Sequence, residues 1–274
     1  MKSALGCSFP ATEANSEAGN WNIVTTLARG FSILRAFGPN DEYLGNADLA
    51  QRTNLPKSTV SRLTNTLTRL GYLYCSEPRE KYRLGPGVLA LGFSYLNVTS
   101  GIRQLARPYM ERLADDEDVA VALGAPDQFH MTYIELCQGH GPLIMRHKVG
   151  TRLPMVHTSM GRAYISALPE ARRLALMAQL REHLGDEWPA IEKVLAIAYD
   201  DYHTRGFCLS VAEFSAQVSA VGVPLILDDE NDVLVFNCGG AAQRVTRELL
   251  ENNLGLRLQA LVRSLRMQFR GPRI

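Results

Sequence analysis

The sequence predicts an α+β protein of two domains joined by a helix, and three observations carry that reading. Residues 46–84 read as helix, tight connection and helix, followed by two β-prone runs around a charged loop. Residues 88–98, VLALGFSYLNV, are apolar nearly all round, which an exposed lone helix does not tolerate. Residues 101–269 mix strand-like alternation with helix-like periodicity, the pattern of an α/β layer. At 274 residues the chain is long enough for two ordinary domains. The expected division is a flexible arm at 1–19, a first domain at 20–84, a linker helix at 85–100 and a second domain at 101–270.

Composition narrows the function classes. Apolar residues make up 46% and charged residues 21%, values of an ordinary globular protein. The net charge of +1 conceals an uneven distribution: residues 20–100 carry nine Lys/Arg against five Asp/Glu, whereas 101–274 carry nineteen against twenty-one. A basic front and a mildly acidic back fit one domain that meets a polyanion and one that does not. The five cysteines are odd in number and form no CxxC pair, so neither a disulfide framework nor a zinc site is indicated. A reducing, cytoplasmic setting follows. No apolar run approaches the roughly 18 residues of a membrane span. The opening MKSALGC has too short an apolar stretch for a secretory signal.

In chain order, residues 1–19 lack a periodic apolar face. A first helix is expected from Asn22 to Phe37, with Val24, Leu27, Phe31, Leu34 and Phe37 as its buried stripe, stopped by the GPNDE cluster. Asn46 or Gly45 starts the second helix, with Asp48 in its first turn where the helix dipole favours an acid. Asn54 and Leu55 turn the chain, and Pro56 occupies a position where helices accept proline. In the third helix Val60, Leu63, Leu67 and Leu70 fall within roughly 80° of one another at 100° per residue.

The opposite side of that helix is the informative one. Lys57, Ser58, Thr59, Ser61, Arg62, Asn65, Thr68 and Arg69 populate it, and no acidic residue occurs from 57 to 70. Small hydroxyls permit close approach to phosphates, and Arg and Asn make bidentate contacts to base edges in the major groove. A merely solvated face would mix Glu with Lys and Arg; this one does not. Gly71 ends the helix. Tyr72–Tyr74 and Lys81–Leu84 then read as a hairpin whose tip is Glu77–Glu80. The whole is a winged helix-turn-helix, a DNA-binding element. Arg79, Lys81 and Arg83 are candidates for phosphate contact on the wing, and strand alternation is expected to keep all three from serving together. The apolar linker helix predicts a partner subunit, which suits two reading helices set one DNA turn apart.

The runs LARGFSILRAFG, NADLAQRTNLPKSTVSRLTNTLTRLGYL and KYRLGPGVLALG resemble the amino-terminal half of IclR-type bacterial transcriptional regulators. LARPYMERLA, VGTRLPMVHTSMGRAYISALP and RGFCLSVAEFSAQVSAVGVPL resemble that family's effector-binding domain. The resemblance spans about residues 21–268. It implies an N-terminal winged helix-turn-helix domain, with the motif at about 46–65, a linker helix and a C-terminal GAF-like α/β effector-binding domain. It further implies double-stranded operator DNA and a small-molecule effector as partners, and assembly as a homodimer or a dimer of dimers, with no cofactor and no membrane.

The second half shows its own pattern. Helices are expected at Ile102–Leu113, Thr158–Ala167, Arg172–Leu184, Ile191–His203 and Arg244–Phe269, the last with a leucine stripe from Leu249 to Leu265. Strands are expected at Val119–Gly124, Phe129–Cys137, Leu143–Lys148, Gly206–Val211, Ser219–Leu227 and Asp232–Cys238. By the resemblance, effector contacts fall on Ser210, Ala220, Asn237 and Gly239, and on the segment around Gly161 with His157 and Thr158 before it. Three departures stand out: Ser210 where Asp is common, Ala220 where Cys is common, and Asn237 with Gly239 where two serines occur. Without that carboxylate and those hydroxyls a compact oxoacid is not expected to bind in the family's manner, and with Met145, Met155 and Met160 near, a bulkier or aromatic acid is. Glu213 fits either a ligand contact or a structural partner to a backbone amide or an arginine.

Two other readings compete: a winged-helix protein whose second domain is an enzyme, and one in which it is a protein-interaction module. The six histidines are scattered, and there is no HExxH, GxSxG or P-loop pattern. No catalytic or metal-ligating residue is therefore assigned.

Overall fold

The computed structural model of the protein describes residues 23–38, 41–78, 80–140, 147–227 and 232–269. The expected arm over 1–19, Arg79, Met145 and most of the strand expected at Leu143–Lys148 lie outside these residues. Two compact units divide between Val98 and Thr99.

The first unit runs α1 (Thr25–Arg35), β1 (Leu44–Gly45), α2 (Asn46–Thr53), α3 (Lys57–Arg69), β2 (Leu73–Ser76), β3 (Lys81–Leu84) and α4 (Pro86–Val98). The strands form an antiparallel sheet in the order β1-β3-β2. Ile33, Leu44, Leu49, Val60, Leu67 and Leu73 make its core. Asn54 joins α2 to α3 at φ 54°, a left-handed conformation that Asn tolerates better than most residues. Gly85 closes the wing where only glycine fits: a Cβ there would lie 2.4 Å from the Gly71 carbonyl oxygen.

Two expected stripes need correction. On α1, Val24, Leu27 and Phe31 are exposed, and Ile33 is the fully buried residue. Leu34 and Phe37 of the expected stripe do pack against this core, so the stripe holds toward the end of the helix and fails at its start. On α3, Thr64 rather than Leu70 completes the buried row with Val60 and Leu67. Leu70 falls at the C-cap, beyond the packed turns, and is exposed.

The second unit runs α5 (Ser100–Glu117), β4 (Ala120–Asp127), β5 (His130–Gln138), β6 (Arg152–Pro154), α6 (Ser159–Ala167), α7 (Glu170–Leu184), α8 (Trp188–Arg205), β7 (Cys208–Ser215), β8 (Val218–Ile226) and β9 (Val233–Ala241). It ends in α9 (Arg247–Leu249), a π-turn over Leu250–Leu254 and α10 (Gly255–Phe269). The buried leucines of this last segment are Leu250, Leu254, Leu258, Leu261 and Leu265; Leu249 is only partly covered. The sheet is antiparallel in the order β6-β5-β4-β9-β8-β7. Its described edge is Arg152–Pro154, because His147 and Lys148, the described end of the strand expected at Leu143–Lys148, are not strand. Mixed helices and a curled sheet give the α+β class that the sequence predicts.

Candidate nucleic-acid interface and ligand cleft

The first unit presents α3 to solvent on one side and to the core on the other. Lys57, Ser58, Ser61, Arg62, Asn65 and Arg69 are exposed, while Thr59 is half-buried. Thr64, fully buried, fixes how that face is offered. Its hydroxyl is 3.1 Å from the Ser61 carbonyl oxygen and 3.3 Å from Asn46 Oδ1, tying the start of α2 to the middle of α3. Arg52 ties α2 to α1, donating to the Ala36 carbonyl at 2.9 Å and to Asp41 Oδ1 at 3.0 Å. That pairing holds the Asp41 carboxyl below its ordinary range. The exposed face of α3 is thus tied through α2 to the end of α1.

On the wing, Ser76 pairs with Lys81 and Tyr74 with Arg83. Lys81 and Arg83 are two residues apart and share a face. The expectation that alternation would separate the basic residues fails for this pair, since separation requires an odd interval. The Arg83 guanidinium lies over the Tyr74 ring, 4.7 Å from its centroid, and Lys81 is exposed.

In the second unit the seven residues named for effector contact converge on the N-terminal end of α6 and the strands beneath it. The register aligns Ser210 with Ala220 and Ala220 with Gly239, and sets Asn237 beside Gly222 in the next row. Gly222 lets α6 approach: a Cβ there would fall 2.4 Å from the Ser159 carbonyl oxygen. Thr158 caps α6, accepting from the Gly161 amide at 3.2 Å and donating to the Pro154 carbonyl at 3.1 Å. Ser210 Oγ donates to the His157 carbonyl at 3.2 Å, and Asn237 Nδ2 donates to Ser159 Oγ at 2.9 Å. These polar atoms are therefore engaged with one another. Two open clefts on this unit, about 520 and 420 Å3, include none of the seven.

Met155 and Met160 are buried in the core beside Tyr133 and Val235. The Met160 thioether fills the space above Gly124, where a Cβ would lie 2.3 Å from its sulfur. Burial, then the Arg162 charge, hold the half-buried His157 ring below its ordinary pKa, which favours the neutral form.

Sequence reasoning assigned no role to Ser159 or Arg162. Ser159 stands next to the named Thr158, but only the fold places it against Asn237. Arg162 is buried; its Nε donates to the Val156 carbonyl at 3.2 Å, Nη1 to the Leu209 carbonyl at 2.9 Å and Nη2 to Glu213 Oε2 at 2.6 Å. Of the two roles open to Glu213, this structure displays the structural one, as partner to Arg162 and, at 3.4 Å, to the Val211 amide.

Three of the cysteines are held as neutral thiols by burial. Burial pushes the Cys137 thiol up to about 11 and those of Cys208 and Cys238 up to about 12. Among the described residues no group of three His, Cys, Asp or Glu could hold a metal ion, and no helix is long and apolar enough to cross a membrane.

Comparison with known proteins agrees with this architecture. The IclR helix-turn-helix domain matches residues 26–75, and the C-terminal domain of bacterial IclR regulators matches residues 94–266. The chain is 31% identical over 253 residues to the HTH-type transcriptional regulator TsaQ1/TsaQ2 of Comamonas testosteroni, covering 92% of this chain and 90% of that one. An IclR family transcriptional regulator from Brucella abortus superposes with a TM-score of 0.82 at 42% identity, over 93% of this chain and 96% of that one. The same fold occurs in an IclR homolog from Microbacterium hydrocarbonoxydans complexed with 4-hydroxybenzoate, at TM-score 0.62 and 21% identity, over 89% and 99% of the chains. Homologues with these domains are transcriptional regulators. A helix-turn-helix domain followed by an α/β domain agrees with these matches, and the chain belongs to the IclR family of DNA-binding transcriptional regulators that respond to a small metabolite.

Proposed function

We propose that this regulator reads double-stranded operator DNA with α3, placing Arg62 and Asn65 on base edges and Lys57, Ser58, Thr59, Ser61 and Arg69 along the phosphates, with Lys81 of the wing on the adjacent backbone. The observation that carries the reading is a solvent face of α3 that holds no acid from 57 to 70. Ion-pairing with phosphates needs such a face, whereas a merely solvated helix does not. The working form is a homodimer or a dimer of dimers in the cytoplasm, formed through α4 and the uncovered side of α1. Leu89, Leu91, Phe93 and Val98 of α4 are exposed, as are Ile23, Val24, Leu27 and Phe31 beside α1. Apolar surface on this scale marks an interface.

In the second unit the effector replaces the bonds made by Ser210 and Asn237 at the N-terminal end of α6, among His157, Thr158, Gly161, Ala220 and Gly239. The small residues at 220 and 239, the absence of a carboxylate at 210 and the pliable Met160 support an aromatic or other bulky organic acid over a compact oxoacid. A homolog of this fold is held with 4-hydroxybenzoate; that ligand belongs to the homolog.

Electrophoretic mobility shift on the DNA beside its own gene, at two salt concentrations, tests the DNA reading. Specific retention that falls steeply with salt is expected. Salt-independent or sequence-indifferent retention would remove it. Calorimetry with glyoxylate, pyruvate, benzoate and 4-hydroxybenzoate tests the cleft: preference for the aromatic acids is expected, and tight binding of glyoxylate or pyruvate alone would sink the effector class.

A further inference from the structure

We propose that the second unit carries another binding site, for a planar organic anion, in the cleft between the end of α8, the far end of β8 and α10. The cleft measures about 420 Å3 and is lined by Tyr202, His203, Val223, Pro224, Val262, Arg263 and Arg266 among others. That volume lies within the roughly 300–1,000 Å3 of small-molecule pockets. It is separate from the site at α6. None of the residues named for that site lines this cleft: Asn237 pairs with Gly222, and of β8 only Val223, Pro224 and Ile226 are in the lining.

Three features decide the ligand class. The floor is apolar, since Val223, Pro224 and Val262 are all buried. One wall is aromatic: the Tyr202 and His203 rings meet edge to face with centroids 5.2 Å apart, and such rings offer a surface for a flat ligand. The rim is cationic. Arg263 and Arg266 are three residues apart on α10 and so share a face, and both are exposed. Among the described residues no Asp or Glu lines the cleft, although residues 101–274 hold more acids than bases, twenty-one against nineteen. Asp201, beside Tyr202 in sequence, faces Arg205 instead at 3.1 Å, and Arg205 also holds Glu251 at 2.8 Å. An apolar floor under two guanidinium groups suits a ligand with a flat apolar body and a carboxylate or sulfonate at one edge.

Calorimetry of the full-length protein with 1-naphthoate and its neutral analogue 1-naphthamide tests this, using wild type, R263Q/R266Q, H203A and N237A, with thermal melts to verify folding. Naphthoate should bind wild type saturably and weaken at least about tenfold in R263Q/R266Q, the loss of about 1.4 kcal/mol that one charge-assisted contact represents. H203A should weaken both probes, and naphthamide should not distinguish R263Q/R266Q from wild type. The proposal is overturned if naphthoate shows no saturable binding, or binds R263Q/R266Q as tightly as wild type. Loss in N237A with retention in R263Q/R266Q also overturns it, by placing the probe at α6; the α6 reading then stands while this one falls.

Discussion

Arg162 Nη2 on α6 donates to Glu213 Oε2 on β7 across 2.6 Å, joining residues 51 positions apart. The arginine is almost wholly buried, with its other nitrogens on backbone carbonyls, while the Glu213 side chain keeps 41% of its exposure. An irregularity in the β7–β8 pairing between Val211 and Ser215, with Ala212 at φ 54°, turns the strand at Glu213. The pair locks the helix that carries Gly161 to the strand that carries Ser210.

Its pH dependence follows from Glu213. Burial opposes ionisation as the largest single effect, but the Arg162 hydrogen bond and charge, the Val211 amide and Arg247 together outweigh it and hold the carboxyl below its ordinary value of 4.5. A carboxyl depressed by folding stabilises the native state above its unfolded pKa and loses that contribution as pH falls through the folded value. Thermal melts of E213Q should therefore lie furthest below wild type at neutral pH and converge with it below pH 4.5. A difference that widened on acidification would contradict this account of the pair.

Thr64 makes a prediction for the first unit. Replacing it with Val keeps the volume and removes the hydroxyl that spans Ser61 and Asn46. A buried hydrogen bond contributes about 1 kcal/mol, and the Asn46 carbonyl oxygen loses a partner as well. Urea titration of T64V should give a loss of about 1–2 kcal/mol; unchanged stability would mean that the hydroxyl does not tie α2 to α3.

The proposed assembly through α4 makes a third prediction. Leu89 and Phe93 are one helical turn apart and exposed at 72% and 60%. The double substitution L89E/F93E should shift sedimentation equilibrium from dimer toward monomer and weaken operator binding with it, because burying a charge in an apolar interface is costly. A dimer that persists in the variant would place the interface elsewhere.

The legibility of the fold was uneven for physical reasons. The helix-turn-helix could be read from local signals, since Asn54, Pro56 and Gly71 act on their own neighbourhoods. So could the strands from Val218 to Ala241, whose apolar runs declare burial. The packed side of α1 was legible only in part: Leu34 and Phe37 pack against the core as read, whereas Val24, Leu27 and Phe31 share their periodicity and are exposed, and Ile33 was missed. Leu70 was misplaced because a stripe read by angle ignores where the helix stops. At the N-terminal end of α6, Ser210, Asn237 and Thr158 could be named from family resemblance, but their partners could not. The bond from Asn237 to Ser159 links positions 78 apart and exists only once the sheet is assembled.

The central claim, that α3 reads bases through its acid-free face, is tested most directly by fluorescence anisotropy of Arg62→Ala on operator and on unrelated DNA at equal salt. A base-reading arginine predicts a loss of about 1–3 kcal/mol on the operator with little change on unrelated sequence. Equal losses on both would reduce Arg62 to a phosphate contact, and unchanged operator affinity would remove it from the interface.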